Sequence, residues 1–302
     1  MWSELWSNLW SSIFFSILRP MLKWILRRVT GKCELLRITY EENHGSQRTK
    51  RIEKSLKLSH QPFIKQLILP ENVDVEVTEA TKEIMKIKDI VPEVHSRFSS
   101  SFSCCLSQVV GYKKLQNEVE LMRTTPYSSD NIHHENKLLQ LWNLLMPDTK
   151  LESRISRQWT DIGFQGEDPK TDFRGMGMLG FNQLLYFSEN YTKEARNVLS
   201  QSHHPQYGYS YAIVGINLTS MIYTLLKGGK LRTHFYNLKQ APATIQDLHD
   251  VYCYLFQEFN KFWFREKPKD IMEFGRLRDK FHKQIIERLR EPRTILQYNN
   301  KD

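Results

Sequence analysis

Apolar residues return at intervals of three and four along most of the chain, the spacing of one face of an α-helix. Between residues 1 and 29, Trp2, Leu5, Trp6, Leu9, Trp10, Ile13, Phe14, Ile17, Leu18, Met21 and Leu22 follow it, with serines largely on the other side. Further helices are predicted over 77–90, closed by Pro92, over 102–122, and over 138–145, stopped by Pro147. Thr149 and Glu152 have capping-box spacing ahead of Leu151, Ile155 and Trp159, which predicts another helix there. Residues 209–227 are apolar nearly all round, the mark of a central buried helix, and Gly228-Gly229 supplies its stop. Thr244 and Asp247 open an amphipathic helix running through Leu248, Leu255 and Phe259 to Trp263, and a last one runs from about Asp270 to Leu289. No long alternating run competes as a sheet, so the fold class is all-α and multi-helical.

The N-terminal pattern changes meaning once charge is added. Eleven Lys and Arg stand between Arg19 and Lys57 against Glu34, Glu41, Glu42 and Glu53, so this stretch holds about +7 of the chain's net +9 and the rest is close to neutral. A charge so confined does not describe a nucleic-acid-binding domain. It follows directly on the Trp-rich stripe, and Trp belongs at the headgroup boundary of a bilayer. The uncharged run from Leu5 to Leu18 is shorter than the ~20 residues that span hydrocarbon, and Pro20 interrupts its extension. The expectation is an amphipathic helix lying in a membrane interface, with Trp2, Trp6, Trp10 and Phe14 inserted and Arg19, Lys23, Arg27 and Arg28 toward anionic headgroups. A spanning signal anchor and a helix packed on the protein's own core compete with it. A cleaved signal peptide fits less well, because its positive charge would precede the apolar stretch.

Composition adds bounds. At 302 residues, 40% hydrophobic, the chain can bury a sizeable core. Cys33, Cys104, Cys105 and Cys253 lack metal-ligand spacing and suit free thiols in a reducing compartment; no metal site is expected. His133-His134 and His203-His204 point neighbouring side chains apart and are expected at the surface or in caps. The G-x-G-x-x-G match at Gly175, Gly177 and Gly180 follows a polar stretch instead of a buried strand, so it is not taken as a dinucleotide fingerprint. There is no P-loop motif.

Residues 159–180, WTDIGFQGEDPKTDFRGMGMLG, resist a bland reading. Carboxylates, a proline, aromatic residues and five glycines packed into so short a segment favour a shaped turn that presents something. This stretch strongly resembles the signature of the ELMO-domain family. The similarity continues through residues 209–217 and Phe262-Trp263, covers roughly 132–292, and extends upstream to the short ELMO domain-containing proteins at residues 30–35 and 127–131. The resemblance implies an all-helical ELMO domain over 132–294; the apolar and charge patterns set before it a membrane-associating helix at 1–29 and a basic helical region at 30–131, and a tail follows at 295–302. It implies a GTPase-activating protein for ADP-ribosylation-factor-like small GTPases, with no cofactor of its own, GTP and Mg2+ being carried by the partner. It also implies a cytosol-facing membrane of the endoplasmic reticulum, lipid droplets or mitochondria. A non-catalytic adaptor at a membrane is the alternative. Leu is common in the family where this chain has Phe181.

For the short subgroup the resemblance assigns the activity to the signature arginine, here Arg174, and the chemistry is independent support. Hydrolysis of GTP spreads negative charge over the γ-phosphate oxygens, and a guanidinium supplied in trans meets it with a planar fork of donors. Gln165, Asp168, Asp172, Gly175 and Gly177 then form the candidate partner-binding loop, the glycines allowing close approach. Arg174 paired to Asp168 or Asp172 would instead be a lock that holds the loop. The sequence leaves both open. Trp159, Phe164 and Phe173 are expected to pack the loop.

Overall fold

The structure is a computed structural model and describes residues 6, 10, 18–69, 72 and 74–297. Among them lie α1 (Arg19–Thr30), α2 (Glu34–Glu41), α3 (Ser46–Lys57), α4 (Pro62–Ile68), α5 (Val77–Ile87), α6 (Phe98–Thr124), α7 (Ile132–Leu145), α8 (Gly177–Asn190), α9 (Thr192–Ser202), α10 (Tyr211–Lys227), α11 (Arg232–Leu238), α12 (Ile245–Glu266) and α13 (Phe274–Arg288). Short 3-10 helices cover Arg157–Ile162, Pro169–Gly175 and Ile271–Glu273. The described residues contain no strand, in keeping with the all-α expectation. The chain forms two compact units, residues 1–110 with 240–242, and residues 111–239 with 243–302.

In the first unit α2, α3, α4, α5 and the start of α6 bury Leu35, Leu36, Ile52, Leu56, Ile64, Ile84, Phe98 and Phe102. Arg48 is buried as well and caps a helix end: its guanidinium donates to the carbonyls of Thr39 and Glu42, 3.4 Å each, which α2 leaves unpaired. Helix α1 ends where Gly31 takes a left-handed φ of 66° and returns its N–H to Arg27 O at 2.9 Å. Trp6, Trp10 and Trp24 are exposed, as are Met21, Ile25 and Val29. Trp2, Phe14 and the side chain of Arg19 lie outside the described residues. No helix among the described residues is long and apolar enough to cross a membrane.

The second unit is built around α8, which packs on α7, α9, α10 and α12 and buries ten of its fourteen residues. Helix α10 is central as its apolar circumference predicts, with Val214, Leu218, Ile222, Leu225 and Leu226 buried. The capping box that opens α12 is present: Thr244 Oγ1 accepts from Asp247 N while Thr244 N donates to Asp247 Oδ2 at 2.7 Å. The helix expected after Thr149 does not form. Trp142 Nε1 donates to Thr149 O at 2.8 Å and Trp159 Nε1 to Arg154 O at 2.9 Å, so two buried indoles claim carbonyls that a helix there would spend on its own ladder. Burying two tryptophans outweighs a capping box worth about 1 kcal/mol. Residues 147–156 run as turns and extended chain, and the next helical turn starts only at Ser156, whose Oγ accepts from Gln158 N at 3.2 Å.

Candidate functional site

The signature segment is fixed from below by a string of rings. Trp142 and Trp159 meet edge to face at 5.4 Å, Trp159 and Phe164 at 5.9 Å, Phe164 and Phe173 at 5.6 Å, and Phe173 and Phe181 at 5.2 Å. Tyr127 closes the string against Phe173 and Phe181. All are buried, so the loop-packing expectation for Trp159, Phe164 and Phe173 holds. Phe181 is itself a ring in this string. Each such pair contributes about 0.5–1.5 kcal/mol beyond the area it buries.

Over these rings the backbone is pinned at both ends. Gly163, at φ 83°, accepts Ile213 N at 3.2 Å, and a Cβ on it would stand 2.2 Å from Tyr211 N. Gly177, at φ 50°, passes so close to the end of α6 that a Cβ would stand 2.4 Å from the carbonyls of Arg123 and Thr125. Met178 N donates to Thr125 O at 2.9 Å. Gly177 is therefore an internal docking point buried in the fold and offers no surface to a partner, which corrects the expectation from sequence. Gly175 is exposed, with nothing within 4 Å of where its Cβ would be.

The second 3-10 helix, Pro169–Gly175, carries the chemistry. Asp168 caps it by accepting Lys170 N at 3.0 Å, and Pro169 follows at the first helical position, where no N–H is needed. Asp172 Oδ2 accepts Gln165 N at 2.8 Å, tying the two halves of the loop. Burial pushes the Asp172 carboxyl above its ordinary value, against the pull of the Gln165 N–H, Thr171 and the Arg174 charge. Gln165 itself is exposed.

The lock exists, but its arginine is Arg154. Arg154 Nη2 donates to Asp168 Oδ1 at 3.0 Å and to Glu135 Oε1 at 3.1 Å, while its Nε also donates to Glu135. Tyr127 Oη donates to Glu135 Oε1 at 2.7 Å, joining the lock to the aromatic string. Nothing local in the sequence announces Arg154, since its partners lie 19 residues before it and 14 after. Arg174 is exposed in the last turn of the 3-10 helix and, among the described residues, its guanidinium makes no hydrogen bond or ion pair. The pairing of Arg174 with Asp168 or Asp172 weighed from sequence is not made: Asp168 is taken by Arg154 and Asp172 by Gln165 N. A free guanidinium next to an unobstructed glycine, on a turn over a packed floor, is available to an anionic group on another molecule.

The remaining expectations resolve locally. His134 Nδ1 accepts Ser128 N and His204 Nδ1 accepts Gln206 N and Tyr207 N, both capping turns. Cys33, Cys104, Cys105 and Cys253 are free thiols.

Residues 117–278, which contain this whole site, match the model of the ELMO/CED-12 family. The chain is 54% identical over 264 residues to ELMO domain-containing protein 2 of Bos taurus, covering 87% of this chain and 89% of that protein. It is 53% identical over 264 residues to ELMO domain-containing protein 2 of Homo sapiens, with the same coverage of 87% and 89%. To ELMO domain-containing protein 1 of Mus musculus it is 46% identical over 292 residues, covering 91% and 89%. Described residues that form helices and no strand, a signature segment laid over its own aromatic floor, and likeness along nearly the whole length lead to one conclusion: the chain belongs to the ELMO/CED-12 family.

Proposed function

We propose that this protein accelerates GTP hydrolysis on a small GTPase of the ADP-ribosylation-factor-like class by supplying Arg174 in trans. One observation carries the reading: in a segment where Asp168 and Asp172 are engaged, Arg174 is exposed and uncommitted. Its fork of donors meets charge that develops on the γ-phosphate oxygens, an effect worth about 10³–10⁵ in rate, or roughly 4–7 kcal/mol of barrier. Gly175 lets the partner's surface approach. GTP and Mg2+ come with the GTPase, and the reading asks for no cofactor in this chain. The test is single-turnover GTP hydrolysis by a panel of purified GTPases with and without this protein. Arg174→Lys keeps the charge but loses the planar fork, so it should remove most of the acceleration while binding suffers less. Full acceleration by well-folded Arg174→Ala would sink the proposal, and binding with no acceleration by the parent would make the protein an adaptor.

We infer further that the N-terminal segment brings this activity to a cytosol-facing membrane, as the resemblance also implies for endoplasmic reticulum, lipid droplets or mitochondria. The support is the exposed apolar side of α1, with Met21, Ile25 and Val29, beside Trp24 and Arg28. Removing residues 1–28 should leave a folded protein in the soluble fraction; retention of the truncated form on membranes would refute the assignment.

A further inference from the structure

The first unit holds a cavity of about 250 Å³ that plays no part in the site above. Its lining includes Lys23 and Arg27 of α1, Glu34 at the start of α2, Ser55 of α3, Ser59 just beyond it, and Lys88 at the end of α5. Three cations and one carboxylate thus face one small space. Glu34 is spent within the wall: it pairs with Lys23 at 2.5 Å and accepts Ser55 Oγ at 2.6 Å. Arg27 is held at 3.2 Å by Asp89, an exposed carboxylate on a residue with φ 53°. So exposed a pair contributes little to stability, and a stronger anion displaces Asp89 at small cost.

Lys88 is the anomaly. It is half-buried and, among the described residues, its ammonium has neither an ion pair nor a hydrogen bond. Burial pulls its pKa below the ordinary lysine value, and the charges of Lys23 and Arg27 add to the pull, against Cys33 and Glu34. A half-buried ammonium beside two other cations carries a cost that a bound anion relieves.

We propose that this cavity binds a phosphomonoester group, with Arg27 as a forked donor, Lys88 as the half-buried counter-charge and Lys23 at the rim. Its volume lies below the ~300–1,000 Å³ of pockets for drug-sized ligands, which favours a headgroup-sized ligand. The same chemistry is offered by a phosphoinositide headgroup and by a soluble inositol phosphate. Helix α1 carries exposed Leu22 and Leu26 next in sequence to the lining cations Lys23 and Arg27, which makes the membrane-borne source the expected one. The site does not depend on the GTPase reading, because binding is measured without any GTPase.

The experiment uses the full chain in two arms. Inositol trisphosphate is titrated by calorimetry, and co-sedimentation compares phosphatidylcholine vesicles carrying a phosphoinositide with vesicles matched in charge by phosphatidylserine. Lys88→Met is the test variant, and Lys86→Met, an exposed cation on the same helix outside the lining, is its control. Binding in either arm that falls about tenfold or more in Lys88→Met and hardly at all in Lys86→Met supports the site. Response in the vesicle arm alone assigns a lipid, and in the soluble arm alone a free inositol phosphate. Lys88→Met should melt no lower than the parent, since it removes a half-buried charge that has no hydrogen-bond or ion-pair partner among the described residues. No binding in either arm, or equal losses in the two variants, overturns the proposal.

Discussion

Replacing Arg154 and Arg174 separately by Ala divides what holds the site from what the site offers. The Arg154 side chain is 25% exposed, and its partners Glu135 and Asp168 are 16% and 33% exposed. Charge-assisted hydrogen bonds contribute about 1.5–3 kcal/mol each, and breaking a fully buried pair costs about 3–5 kcal/mol. Partial exposure lets water reach the orphaned carboxylates, so about 2–3 kcal/mol is expected for Arg154→Ala. In a unit of this size that is a fall in Tm of about 4–12 °C. Arg174→Ala removes no contact and should stay within about 0.5 kcal/mol. The activities should rank the other way: Arg174→Ala loses the ~10³–10⁵ of a missing finger, whereas Arg154→Ala, which loosens the turn by an ångström or so, loses nearer 10². Melting curves and single-turnover hydrolysis on the same preparations read both. Asp168→Ala should couple to Arg154→Ala by about 0.5–3 kcal/mol and to Arg174→Ala hardly at all. The reasoning is refuted if Arg174→Ala melts as low as Arg154→Ala, or if Arg154→Ala leaves Tm unmoved.

Two other outcomes follow from geometry already described. Gly177→Ala combines a left-handed φ with a Cβ driven into two carbonyls and should cost about 3 kcal/mol or more, whereas Gly175→Ala should cost well under 1 kcal/mol; thermal melts that fail to separate the two would contradict the docking role of Gly177. Burial drives His234 and His249 down from 6.5 to about 4, so both are neutral in the fold. Above pH 6.5 they leave stability unchanged; as pH falls from 6.5 to 4 the unfolded chain takes up their protons and the folded one does not, so stability drops by about 1.4 kcal/mol per unit for each group. Denaturant unfolding across that window should show the slope, and His249→Gln should remove about half of it; an unchanged slope would refute the assignment.

Where periodicity was strong the sequence predicts the fold well. The buried circumference of α10 and the Thr244–Asp247 cap of α12 depend on residues close together in the chain, and both are found. Helix α8 escapes such a reading because burial on ten of its residues erases any polar face, and Gly175, Gly177 and Gly180 at its start look like loop. Helix α9 carries only Ala195, Val198 and Leu199 as its apolar stripe, too few to stand out. The Thr149–Glu152 spacing misleads because local capping is weaker than the two indoles that take the same carbonyls. At the site, residue types mark out the segment and Arg174, but the division of labour between arginines is a long-range fact. Arg154 reaches Glu135 and Asp168 only after α7 and the aromatic string have brought them together.

The Gly163 contact bears on how the segment meets a partner. Gly163 O accepts Ile213 N in the first turn of α10, and Phe164 and Phe173 lie in the same floor, so opening the segment must break contacts with the core of the unit. Its hydrogen-bonded amides, those of Phe164, Gln165 and Met178 among them, should exchange with solvent far more slowly than those of an open loop. Association then has no disordered stretch to fix, so the conformational entropy that a flexible loop surrenders on binding is already settled at folding. The heat capacity of complex formation should track contact area alone, without the larger negative value of coupled folding and binding.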